Sequence, residues 1–353
     1  MARVRRSDRR RETQPAPFDL DRDLARVAEA ARAPAEAALG HLAELAEPPE
    51  PVFAGCGPEA FRIRLATEDP VWSRPLVART SPPPVLAREA AWIDRVRAAG
   101  FPAPEVVSDG DAGVLVFREP AGTNLAERMI TDMPALPRLL ADFGRLHAAL
   151  HALPAAGAPA AHATAPDLAA GPPPGHGHAR DDAFGASDDP GDDRGVAAQV
   201  RWLLAHEPQS GEPVVCHGAL NPAHVYLDGD RAVAVNWTGA GLADPEYDVA
   251  ATLTGFWTAA LYIDSAVQRR MLKMVRDSLA GAYLAAYRDA AVRPLDDVRL
   301  RYWQAFHLCR VGADIVRHRT EGASGPWDTA AHVAQPGAAL DELAREFWGI
   351  VDG

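Results

Sequence analysis

Lysine is almost absent from this 353-residue chain. Of 36 basic residues only Lys273 is a lysine, so the first half of the chain holds no ammonium group. Cysteine is scarce too. Cys56, Cys216 and Cys309 lie far apart, with neither zinc-ligand nor disulfide spacing, which points to a reducing, cytoplasmic compartment. Excess positive charge is missing. A net charge of −12 argues against nucleic acid as the partner, because phosphate contacts need basic surface. Long apolar runs are missing as well. The longest, Val249 to Ile263, carries three threonines and is too short to span a bilayer, so it reads as a buried helix and excludes a membrane role. The basic start MARVRRSDRRRETQ is not followed by an apolar segment, which argues against a secretory leader. With 48% hydrophobic and 24% charged residues, what remains is ordinary globular protein, long enough for two lobes with cores.

Taken in order, residues 1–17 read as a disordered basic tail and 18–51 as a helical leader, broken near Pro34. Residues 52–120 alternate like half-buried strands: Phe61, Ile63 and Leu65 are separated by Arg62 and Arg64, and Leu76–Arg79 is a further strand. Ala87–Ala99 is an amphipathic helix stopped by Gly100. Residues 121–353 are helical, with a Leu139, Leu140, Phe143, Leu146, Leu150 stripe at i, i+3, i+4 spacing. Within them, residues 155–195 are almost all Ala, Gly, Pro, His and Asp. Such a segment buries too little surface to order itself, so it is expected to be a flexible insert. Its Gly175-His176-Gly177-His178 run reads as solvated rather than metal-binding.

The densest motif spans Val214 to Ala250: VVCHGALNPAHVYLDGDRAVAVNWTGAGLADPEYDVA. An apolar run leads into His217-Gly218, then a polar loop, a second apolar run ending on Asn236-Trp237, and Asp244-Pro245-Glu246-Tyr247-Asp248 before a helix. This layout resembles the aminoglycoside phosphotransferase family, which includes choline and homoserine kinase-like enzymes and whose loop runs H-G-D-x-x-P-x-N, then I-D-W, then D-P-x-Y-D-x-A. The resemblance covers about residues 52–320. It implies an α+β, bilobal protein-kinase-like fold with a small mixed β-rich N-lobe, nucleotide-binding in type, and a larger helical C-lobe.

The resemblance also assigns roles, and the three chemical ones are vacant. The general-base position is Ala219, which accepts no proton. The position of the metal-binding Asn is His224, and imidazole suits zinc better than magnesium; local packing is the expected use. The metal-binding Asp position is Asn236, which keeps the shape and offers magnesium one neutral oxygen. Arg79 stands at the phosphate-binding lysine, with Glu89 as its ion-pair partner. Gly55 and Gly57 form the candidate nucleotide loop, although a two-glycine turn between strands needs no ligand and Pro58 removes a donor there. His217 and Asp248 are the scaffold residues that pack and tie down the loop. ATP is the cofactor implied; Mg2+ is disfavoured by the replaced ligands. The expected function is that of a catalytically impaired pseudokinase binding a small molecule, a nucleotide or a protein partner. The alternative is an active phosphotransferase with a rearranged site, for which Asp228, Asp230, Asp244 and Glu246 are the spare acids.

Overall fold

Strand alternation builds the smaller lobe in the computed structural model, which describes residues 20–52, 60–110, 113–156, 194–321 and 329–352. The expected tail, Gly55, Gly57 and nearly all of the expected insert lie outside the described residues. An antiparallel sheet runs in the order β1-β2-β3-β5-β4 (Glu50–Pro51, Ala60–Ile63, Leu76–Thr80, Val114–Arg118, Val106–Asp109). Because side chains alternate across a strand, Leu76 and Ala78 of β3 and Val114 and Val116 of β5 face one way. There they pack with Val27, Ala31 and Ala35 of helix α1 (Leu20–Leu39). Val77, Leu115 and Phe117 face the other way, against Leu86, Ala90 and Ile93 of α2 (Pro83–Ala98). Arg79 belongs to this second face, which is why a guanidinium from β3 enters the core beside α2.

The break expected at Pro34 does not occur: α1 runs through it. Proline removes one helical hydrogen bond, but Ala31 and Ala35 on either side are fully buried against the sheet, and packing holds the helix across the gap.

The larger lobe begins with α3 (Leu125–Thr131) and α4 (Leu136–His151). After α5 (Val196–Ala205), short strands frame the loop region. β7 (Val214–Cys216) pairs with β10 (Gly241–Ala243), while β8 (Val225–Asp228) and β9 (Arg231–Ala234) form a hairpin beside β6 (Thr123–Asn124). Four helices complete it: α6 (Pro245–Thr258), α7 (Ala266–Ala290), α8 (Asp297–Glu321) and α9 (Pro336–Asp352). Helix α6 starts four residues before the expected Val249. Pro245 suits a first helical turn because its fixed φ is already helical and its missing N–H would be unpaired there anyway. That early start puts Glu246 and Asp248 in the first turn. A β-sheet lobe followed by a helical lobe is the arrangement expected from the sequence. Among the described residues no helix is long and apolar enough to cross a membrane.

Candidate functional site

The loop from His217 to Asp248 lies between the lobes, and a buried carboxylate holds its N-terminal end. Asp248 is fully buried. It accepts the backbone N–H of His217 at 2.6 Å and of Gly218 at 2.9 Å. Burial works to raise its pKa, but His147 and His151 beside it hold it well below the usual carboxylate range. His217 donates from Nε2 to the Val235 carbonyl at 2.9 Å. Burial pushes its pKa down to about 4, so the ring is neutral. Gly218 has φ of 87°, and a Cβ there would stand 2.2 Å from the Gly239 carbonyl oxygen. Only glycine supplies both the left-handed backbone and the close approach.

The middle of the loop is neutral and closed on itself. The backbone carbonyl of Ala219 accepts a hydrogen bond from His224 Nδ1 at 2.7 Å. That contact places the ring proton on Nδ1 and leaves Nε2 as an acceptor. The Asn236 side-chain amide donates to it at 3.0 Å. Burial lowers the His224 pKa to about 3, in agreement with a neutral ring. The Asn236 side-chain carbonyl accepts from the Thr238 hydroxyl at 2.9 Å, and Thr238 Oγ1 accepts from Arg79 Nη1 at 2.6 Å. Arg79 in turn pairs with Glu89, and both side chains are 1% exposed. Burial raises the Glu89 pKa against the opposing charge of Arg79. One continuous relay therefore runs from Ala219 through His224, Asn236 and Thr238 to the Arg79–Glu89 pair in the smaller lobe.

Asn236 sits in the left-handed region, φ 65° and ψ 61°, as the one non-glycine residue with positive φ among the described residues. Asparagine tolerates this conformation better than most side chains. It turns the chain sharply after β9, so that Trp237 drops into the core and Thr238 faces Arg79. Arg88 Nη2 adds a second tie, to the Thr238 carbonyl at 3.0 Å.

The structure thus brings Ala219, His224, Asn236, Arg79 and Glu89 into one connected set and gathers His217 and Asp248 behind it. The spare acids are elsewhere, and Asp230, Asp244 and Glu246 are engaged. Asp228 ends β8 and Asp230 sits in the turn of the β8–β9 hairpin, and exposed Asp230 pairs with Arg138. Asp244 accepts the Gly211 N–H at 2.7 Å. Glu246 accepts the Asp296 N–H at 2.7 Å. Sequence reasoning missed Thr238, the link between the lobes, for which a lone threonine after Asn-Trp gave no signal. It also missed His147 and His151, which lie beside the leucine stripe of α4; their i, i+4 spacing was the available clue.

A cavity of about 670 Å³ opens beside the segment joining the lobes, lined among others by Arg97, Pro102, Glu119, Ala121 and Arg231. Of the candidate residues only Asp228 lines it; Ala219, His224, Asn236, Arg79 and Glu89 do not.

The sequence matches the phosphotransferase enzyme family (APH) over residues 55–303. No curated protein matches it. Similar solved structures include a candidate aminoglycoside phosphotransferase from Ralstonia eutropha JMP134, 16% identical over 90% of this chain and 97% of that one, TM-score 0.59. A choline/ethanolamine kinase family protein from Mesorhizobium loti is 19% identical over 94% and 99%, TM-score 0.54. A thermostable mutant of aminoglycoside phosphotransferase APH(4)-Ia, solved as a ternary complex with ADP and hygromycin B, is 17% identical over 88% and 96%, TM-score 0.52. These likenesses concern the fold. The family match, spanning well over half of the sequence and including the whole loop from His217 to Asp248, establishes that the chain belongs to the phosphotransferase enzyme family.

Proposed function

We propose that this phosphotransferase-family chain is a pseudokinase: a catalytically impaired member that keeps the fold to bind a small molecule, a nucleotide or a protein partner. The observation that carries the reading is the closed relay Ala219–His224–Asn236–Thr238–Arg79. Phosphoryl transfer is mainly positioning and charge neutralisation. It needs a group that takes the proton of the attacking hydroxyl, oxygen ligands for magnesium, and a cation facing the phosphates. Ala219 takes no proton, and loss of a positioned base costs about 10²–10⁴ in rate. The Asn236 oxygen is neutral and already accepts from Thr238, and the free lone pair of His224 is occupied by the Asn236 amide. This donor set does not fit Mg2+, which prefers several hard, mostly anionic or water oxygens. Arg79 is buried against Glu89 and Thr238, turned toward the core.

Nucleotide binding is a separate matter from turnover. A neighbour of this fold was solved with ADP and hygromycin B, which supports a cleft able to take a nucleotide or an amine-rich small molecule.

The test is restoration. The triple variant A219D/H224N/N236D supplies the family's base and metal ligands. Purified native protein is expected to show no ATP-dependent phosphorylation of aminoglycoside or choline acceptors and no Mg2+-dependent ATP hydrolysis, while the restored variant gains Mg2+-dependent hydrolysis. Acceptor phosphorylation by native protein, abolished by R79A, overturns the reading.

A further inference from the structure

Behind the loop, two histidines and an aspartate converge in a way that neither the fold nor the proposed function requires. His147 and His151 lie one turn apart on α4, so both face the start of α6. Their Nε2 atoms stand 3.2 Å and 3.4 Å from the same oxygen, Asp248 Oδ2. The three ligand atoms lie within 4.8 Å of one another. A tetrahedral zinc ion with bonds of about 2.0–2.1 Å spaces its ligand atoms by roughly 3.3 Å, close to both measured separations. We infer that His147, His151 and Asp248 form a structural site for a divalent transition metal of the zinc type, tying α4 to α6 and to the His217–Gly218 backbone.

Three further features agree. Each histidine is oriented from behind: His147 Nδ1 meets the Tyr283 hydroxyl at 2.7 Å, and His151 Nδ1 meets the Tyr287 hydroxyl at 2.7 Å. Metal-binding histidines almost always engage their other ring nitrogen in this way. A phenol both donates and accepts, so the ring proton moves to Nδ1 when Nε2 binds metal, and the tyrosine contact survives as N–H donating to the phenol oxygen. Second, His147 is fully buried, and its Nε2 makes no hydrogen bond to any described residue. It faces Asp248 at close range without hydrogen-bond alignment, as a ligand atom would. Third, the carboxylate oxygens also accept the His217 and Gly218 N–H groups, an outer shell that fixes the carboxylate. His151, whose side chain keeps 6% exposure, marks the side from which an ion enters and a water completes the coordination.

The experiment titrates EDTA-stripped, tag-free full-length protein with Zn2+ in competition with a chromophoric chelator, and with Co2+ read by visible absorption. One equivalent of Zn2+ and a tetrahedral Co2+ spectrum are expected. H147Q abolishes both. The double variant H176A/H178A, which removes the histidine pair outside the described residues, leaves both intact. Y283F, which keeps the packing and all three ligands, weakens zinc binding by about 10–100-fold. This variant decides the matter if H147Q fails to fold. Absence of stoichiometric metal, binding unchanged in H147Q and Y283F, or binding lost in H176A/H178A overturns the inference.

Discussion

The anchored end of the loop and its centre differ in charge. Behind it, at Asp248, a carboxylate is fully buried and serves two backbone N–H groups and two histidines. At its centre, Ala219, His224 and Asn236 carry no charge and satisfy one another. Burying a charge is costly unless it is paired and hydrogen-bonded. The chain bears that cost where the charge holds backbone together, and avoids it where a charge would serve chemistry alone. The comparison separates what the fold needs from what a reaction needs, two things that a working kinase site mixes.

The largest effect that would break this contrast is at the anchor. D248A strands the His217 and Gly218 N–H groups and is expected to destabilise the protein by about 5 kcal/mol, the upper end for breaking a buried ionic network, read as a shift in urea midpoint. The smaller lobe has its own buried pair, and E89A removes the carboxylate that faces Arg79. Thr238 still meets the guanidinium, so a loss of about 3 kcal/mol is expected, again by urea unfolding. A loss below about 1 kcal/mol in either variant would mean that water relieves the buried charge.

Acid sharpens the contrast. The His224 pKa falls from 6.5 to about 3 in the folded protein. As pH drops below about 6.5 the unfolded chain takes up a proton that the folded chain refuses. The stability His224 contributes is therefore complete above pH 6.5 and lost as pH falls toward 3. H224Q, which keeps a neutral amide, should flatten the stability–pH slope in that window by up to about 1.4 kcal/mol per pH unit. The smallest effect is at the link between the lobes: T238V removes one hydrogen bond from Asn236 and one from the Arg79 guanidinium and should cost about 1.5 kcal/mol.

Much of the frame was legible in the sequence. Arg79 and Glu89, ten residues apart, pair because strand alternation puts Arg79 on the α2 face. Helix α4 covers the Leu139–Leu150 stripe that its periodicity marks. What was not legible depends on contacts distant in sequence. His147 lies among the leucines of α4 with no motif of its own, and the Asp248 that gives it a role stands 101 positions later. Thr238 carries no motif, and its role exists only because Arg79 arrives from the other lobe. Pro34 reads as a helix break because local propensity is visible in a sequence and the sheet beneath α1 is not.

On the proposed reading no magnesium ion mediates nucleotide binding, because the middle of the loop is neutral and closed on itself. Calorimetry of the native protein with ATP, with and without Mg2+, tests it most directly. An ATP affinity that Mg2+ leaves unchanged, or no binding under either condition, is expected. Affinity that appears or strengthens more than tenfold with Mg2+, and is lost in N236A, would contradict it.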